Sequence, residues 1–232
     1  MNVLAIGAHP DDIELGCGGA LLAHRRAGDT ITLLVMTSGE LGSQGDAPRV
    51  LEQEESADLL HATLRWGGFE DGLVPEDRHS VSLIESVAQS SQTDMIYTHA
   101  LGDTHQDHRA THGATLAAAR RASRVLCYES PSTTSFTPNL YVDLDDRLED
   151  KLELLRSHIS QVLRNGPVDL DAVEAQARFR GFQARRHHAE AFETHRFVWT
   201  PLPADQTGSA AGLIGEQAHR PGPEDADGPT PR

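Results

Sequence analysis

Two short segments concentrate side chains able to do chemistry. The first, Gly7-Ala-His-Pro-Asp-Asp-Ile-Glu-Leu-Gly-Cys-Gly-Gly19, sets an imidazole at His9 and a carboxylate at Asp12, with a second carboxylate, Asp11, between them. The second, His99-Ala-Leu-Gly-Asp-Thr-His-Gln-Asp-His-Arg-Ala-Thr-His112, holds four of the chain's 13 histidines and sets Asp107 between His105 and His108. Mixed nitrogen and oxygen donors suit a borderline metal such as zinc. Adjacent carboxylates beside a histidine are costly unless a cation sits among them; alternatively, Asp11 and Asp12 cap a helix N-terminus. His9, Asp12 and His108 together offer two nitrogens and one oxygen, which leaves a coordination position for water, as in catalytic zinc sites. Water held there loses its proton near pH ~7. Asp11 is then free to act as general base. His105 could stabilise an oxyanion or protonate a leaving amine, with Asp107 keeping it charged. Such a set hydrolyses an amide. His112, one turn beyond His108, reads as a supporting or structural residue.

Both segments have to be delivered to one place. Residues 3–6 form an apolar run the length of one buried strand. Pro10 fixes its own φ and pushes His9 into an extended conformation, so the chain turns there and a helix continues towards Arg26. Residues 30–36, β-branched and apolar, predict a central strand followed by the polar, glycine-rich loop 37–45. Pro48 opens a helix with a rough apolar face. In its first turn Arg49 is either a solvated residue or a ligand contact. A weaker strand over 63–66 leads into a turn at 67–72, where Asp71 is ordinary turn chemistry or reaches a ligand. A helix over 80–91, capped by Ser80 or Ser82, precedes a strand over 94–98, the second histidine segment and a helix ending near Arg120. Strands over 124–128 and 139–144 flank a Ser/Thr/Pro loop at 129–138 that reads as a lid or a wall. Asp145 or Asp146 caps a helix that ends near Gly166-Pro167, and a helix over 169–184 and a strand over 196–199 complete the domain. This alternation predicts a single α/β domain over residues 1–200: a mostly parallel sheet flanked by helices, with its ligand beyond the carboxyl ends of the strands. Residues 201–232, rich in Pro, Gly and acid, predict a disordered tail.

Of 232 residues, 38% are apolar, enough for one proper core. A net charge of −15 with no dense basic block disfavours a nucleic-acid partner. No apolar run approaches the ~20 residues of a membrane span, and the first residues lack the charged and apolar pattern of an export signal. The two cysteines, Cys17 and Cys127, are free thiols in this reading, which places the protein in the cytoplasm. Cys17 is a packing residue, because thiolate metal sites generally come as paired cysteines. A homo-oligomer is compatible with the sequence.

The residues quoted above carry a resemblance. Ala-His-Pro-Asp-Asp at 8–12 with its glycine-rich continuation to Gly19, Met36-Thr-Ser-Gly-Glu40, Arg49 with Glu52, and His105-Gln-Asp-His108 resemble the LmbE-like, or PIG-L, family of zinc-dependent N-deacetylases over the stretch from the first strand to about Phe197. The resemblance implies a Rossmann-like fold and removal of an N-acetyl or other N-acyl group from an amino sugar or its conjugate. It also implies Zn2+ on His9, Asp12 and His108, with Asp11 as base and His105 as its electrostatic partner; affinity order and metal availability leave another divalent ion such as Fe2+ open. Arg49, Asp71 and Glu40 are the substrate contacts it suggests, with His61 standing where relatives have glycine. Amidases of mycothiol-conjugate type, natural-product deacylases and, in another class, a non-catalytic metal- or sugar-binding protein are the alternatives.

Overall fold

Strand β1 (Asn2–Gly7) alternates its side chains between two cores, and that alternation explains the layers. Val3 and Ala5 face one cluster with Ile13, Cys17, Leu21, Leu60 and Leu154, whereas Leu4 and Ile6 face another with Met36, Ile84, Val87 and Ala114. Helices therefore cover both faces. In the computed structural model, which describes residues 1–42, 48–162 and 168–200, Met1–Val198 forms one compact unit. The tail 201–232 and the predicted helix end at Gly166-Pro167 lie outside the described residues.

The sheet has seven strands in the order β3-β2-β1-β4-β5-β7-β6, where β2 is Thr30–Thr37, β3 Thr63–Phe69, β4 Met95–His99, β5 Arg124–Tyr128, β6 Leu140–Asp143 and β7 Ala189–Phe197. The five strands from β3 to β5 are parallel, and β7 and β6 add an antiparallel edge. The chain order reverses between β1 and β4, where doubly wound sheets place their ligands. His9 follows β1 and His99 ends β4, so both histidine segments open over this gap.

Helix α1 (Asp12–Arg26) is broken at Cys17, whose φ of −143° is not helical. The break redirects two helical amides. Gly19 N–H, which would otherwise reach Leu15 O, donates to Glu190 of β7 at 2.8 Å, Ala20 N–H donates to the same carboxylate at 2.7 Å, and Leu15 O accepts Lys151 Nζ at 2.7 Å. Lys151 and Glu190 pair at 2.6 Å, both buried. The pair thus replaces the backbone bond it displaces and satisfies the groups left over. Gly16 is needed nearby, since a Cβ there would lie 2.0 Å from the Tyr128 ring, whose hydroxyl donates to Ile6 O at 2.7 Å.

Several boundaries depart from the sequence reading. The helix predicted from Asp145 or Asp146 starts one or two residues later as α5 (Leu148–Arg156), with Arg147 at the cap and neither aspartate capping it, and resumes as the short α6 (Ile159–Val162). The helix α3 (Arg78–Ser90) is capped by Asp77, with Ser80 returning the bond in a capping box, so Ser82 has no capping role. The last strand begins seven residues before the predicted 196–199, because Glu190 breaks an apolar pattern that its partner Lys151 makes tolerable in the interior. His61 holds φ 52°, the left-handed geometry that favours glycine after α2 (Pro48–Leu60).

Replacing Lys151 by Met strands a buried carboxylate and should cost about 3–5 kcal/mol in urea denaturation. Combining it with Glu190→Leu should recover much of that loss, because Gly19 N–H regains Leu15 O; a double variant as unstable as the single would show that the kink does not depend on the pair.

Candidate active site

Asp12 stands at the start of α1 with both carboxylate oxygens engaged: Oδ2 accepts His9 N–H at 2.7 Å and lies 3.3 Å from His9 Nδ1, while Oδ1 lies 3.3 Å from His108 Nε2. His108 belongs to α4 (Gln106–Ala118), so the two segments do meet. Neither Asp11 nor Asp12 is spent on capping, since Asp11 occupies the N-cap position of α1 without a side-chain capping bond. A cavity of about 360 Å³ opens here, lined by His9, Asp11, Asp12, Arg49, Asp71, His105 and His108 among others.

The outward nitrogens of the two histidines are held by carboxylates. His9 Nε2 lies 3.0 Å from Asp71 Oδ1 and 3.2 Å from Asp107 Oδ2; His108 Nδ1 lies 3.1 Å from Asp103 Oδ2. This leaves His9 Nδ1 and His108 Nε2 turned to Asp12. Carboxylate–histidine pairs of this kind orient metal ligands and raise their basicity. Burial opposes the charge on His9, but Asp107, Asp12 and Asp71 outweigh it and raise its pKa to about 12. His108 is likewise disfavoured by burial and raised to about 9 by Asp12 and Asp103. So much negative potential in a buried cleft fits a divalent cation. Among the described residues, three groups of donors converge within 4.8 Å: His9, His105 and His108; Asp12, His99 and His108; and His9, Asp71 and Asp107.

Asp11 belongs to none of these groups, and His105, a member of the first, is held differently from His9 and His108. Burial raises the Asp11 pKa to about 6 against the pull of the Arg49 guanidinium, which donates to Asp11 Oδ2 at 3.2 Å. His105, the N-cap of α4, accepts Asp107 N–H on Nδ1 at 3.2 Å, so its neutral form carries the proton on Nε2. Burial, then the charges of His108 and His9, lower its pKa. His105 is therefore a neutral donor. Asp107 does not hold it charged as the sequence suggested: its carboxylate accepts Gly72 N–H at 2.7 Å and Val74 N–H at 3.2 Å and faces His9 instead.

Two other sequence-derived assignments shift. Glu40 is exposed and off the cavity wall; Oε1 accepts Asp71 N–H at 2.8 Å while Asp71 Oδ2 accepts Leu41 N–H at 3.0 Å, so it positions the Asp71 turn. Arg49 lines the cavity but is buried, donating to Pro10 O at 2.6 Å and Gly39 O at 3.2 Å besides Asp11, so its guanidinium is engaged by the Pro10–Asp11 segment. His112 Nδ1 donates to His99 O at 2.7 Å, consistent with a supporting role. Sequence reasoning missed Asp103, which accepts from His105 N–H, Ser130, Ser132, Thr133 and His108. Its position two residues before His105 resembles any loop aspartate. It also missed His99, fully buried, stacked on His108 at 3.9 Å, with Nε2 accepting Ala8 N–H at 3.1 Å.

The family described as PIG-L, GlcNAc-PI de-N-acetylase, matches this chain over residues 4–119. The uncharacterized deacetylase YaiS of Escherichia coli (strain K12) is 34% identical over 168 residues, which cover 68% of this chain and 91% of YaiS. Diacetylchitobiose deacetylase of Thermococcus kodakarensis is 26% identical over 193 residues, 69% of this chain and 70% of that protein. Among solved structures, the conserved protein TT1542 from Thermus thermophilus superposes with a TM-score of 0.79 at 24% identity, over 87% of this chain and 97% of that one, which supports the fold.

Asp103→Ala removes the acceptor for five donors at once. It should lower the stability of the metal-free protein by more than about 3 kcal/mol, read as a shift in the urea midpoint; an unchanged midpoint would mean that the hub does not stabilise the loop.

Proposed function

The chain belongs to the PIG-L family, whose members hydrolyse N-acetyl amides, and we propose that it is a metal-dependent deacetylase of an amino sugar or amino-sugar conjugate, with His9 Nδ1, Asp12 and His108 Nε2 as the metal ligands. The observation that carries this ligand set is the pair of outward nitrogens fixed by Asp71, Asp107 and Asp103. The alternatives are weaker: His105 has no carboxylate behind it, and the Nε2 lone pair of His99 is taken by Ala8 N–H. A divalent ion on these ligands, zinc in our reading, supplies a water of lowered pKa and a polarised amide carbonyl.

The chain's own groups supply the rest. Asp11, with a pKa of about 6, is ionised at neutral pH and takes one proton from the attacking water as the new C–O bond forms. His105 Nε2–H, neutral and facing the same cavity, donates to the carbonyl oxygen as it gains charge. When the C–N bond breaks, Asp11 returns the proton to the departing nitrogen, which leaves as the free amine beside the carboxylic acid. Arg49 keeps the Asp11 carboxylate aimed throughout. Asp71 and the neighbouring Leu41 and Gly72 form the wall against which the sugar would lie.

The direct test is acetate release from N-acetylglucosamine, diacetylchitobiose and N-acetylglucosaminyl conjugates after chelation, with and without added zinc. Zinc-restored release is the expected result; silence across the panel with metal bound at one per chain would point to a larger acyl group and overturn the acetyl assignment. Asp11→Asn should bind zinc normally and lose turnover by about 10²–10⁴-fold, whereas Asp103→Asn should weaken zinc by about 10–100-fold in chelator competition. Full turnover in Asp11→Asn would remove it from the base role.

A further inference from the structure

The Asp11 backbone adopts φ 91°, ψ −26°, a left-handed conformation that a non-glycine residue holds only when its surroundings impose it. The surroundings are visible on α2. The peptide between Pro10 and Asp11 is gripped at both poles: Arg49 Nη2 donates to Pro10 O at 2.6 Å, and Gln53 Oε1 accepts Asp11 N–H at 3.3 Å. Arg49 and Gln53 are four residues apart, so one face of α2 presents both groups to one peptide plane. Gln53 is itself fixed, because its Nε2 donates to Glu14 Oε1 at 2.7 Å, and Ser56, a further turn along the same face, also donates to Glu14. Gln53, Glu14 and Ser56 are all fully buried.

We propose that Gln53 is a positioning residue for the general base: it holds the Pro10–Asp11 peptide in the orientation that turns the Asp11 carboxylate into the cavity. The chemistry of the position calls for an amide. The group must accept from a backbone N–H on one side and donate to a carboxylate on the other, a combination that an ionised glutamate or an aliphatic chain lacks. Without it the N–H of Asp11 is left unpaired in the interior, and rotation of the peptide towards an ordinary conformation would relieve both the unpaired group and the strained φ. Arg49 alone leaves the N–H pole free to swing. This inference rests on Asp11 acting as the base in the proposed deacetylase, and it concerns a residue that touches neither metal nor substrate.

The experiment pairs activity with structure. Gln53→Met, of similar length, should lower kcat by on the order of 10–100-fold, as expected for a displaced catalytic group, while KM and bound zinc stay within about twofold of wild type on the scale of that effect. Its crystal structure should show the Pro10–Asp11 peptide rotated. An unchanged kcat, or a fallen kcat with the peptide in place, would overturn the proposal. If Gln53→Met does not fold, Gln53→Ala frees the same peptide and carries the same expectation. Independently of any variant, amide exchange on the wild-type protein should show the Asp11 N–H strongly protected; exchange as fast as an open loop would refute the clamp. Failure of the wild type to release acetate would instead count against the deacetylase reading, and the exchange and backbone readouts would still decide the clamp.

Discussion

The constraint from which the site follows is the confinement of several acids and imidazoles to one buried gap at the carboxyl ends of β1 and β4. Charge of either sign is costly there unless answered by the other. His9 is answered by Asp12, Asp71 and Asp107, and His108 by Asp12 and Asp103, so each imidazole has carboxylates on two sides. Asp12 is pulled below the usual carboxylate range, burial being outweighed by His108 and His99, while burial pushes Asp11, one residue away, in the other direction. Two adjacent aspartates with opposed shifts suit the division of labour proposed for them: an anionic ligand in Asp12, and in Asp11 a group that titrates where a base is useful.

That division demands accuracy from the backbone, and the fold obtains it by placing polar interactions in the interior. Helix α1 has to begin at the tip of β1, bring Asp11 and Asp12 to the gap and still pack under the antiparallel edge of the sheet. It does so with a break at Cys17, closed by the Lys151–Glu190 pair, and with Gly16 admitting the Tyr128 ring against its flank. At the other end, Arg49, Gln53 and Ser56 form a polar stripe on α2 that a sequence pattern of apolar faces cannot register. Each of these groups is buried with its partners, and each would be expensive alone. The supports of the site are thus mutually dependent.

Much of this was legible in the sequence, for a physical reason. His9, Asp11, Asp12, His105 and His108 sit in compact motifs that follow strands, and strand-then-turn placement is a local property that hydrophobic runs reveal. The parallel order of the sheet follows from the same alternation. Partners that come from distant parts of the chain were not legible. Asp103, Gln53 and the Lys151–Glu190 pair draw their roles from contacts across 39 to 42 residues or from loops folded back on one another, as with Ser130 and Ser132 on Asp103. Asp107 shows the limit most plainly. Its sequence neighbours suggested His105, but helical geometry turns its carboxylate outward from that ring and towards the 72–74 turn and His9.

The same distinction separates reaction from substrate. Every proposed ligand, the base and its clamp fall within residues 4–119, the part of the chain matched by the family. The opposite wall of the cavity does not: Pro131 and Ser132 come from the loop after β5, and Gln161 from α6, which is bolted to α2 by Glu52 accepting both Ser160 N–H and its hydroxyl at 2.7 Å. Leu41 and Gly72 close the rim from two turns interlocked by Glu40 and Asp71. In the proposed reaction, binding energy gathered on these walls would distinguish one sugar conjugate from another, while the buried charges would act on the amide whatever the conjugate. Relatives that share the first set of residues can therefore share the reaction and differ in what they deacetylate, because substitutions in the loop after β5 or in α6 alter the wall without touching the charge balance at the strand ends.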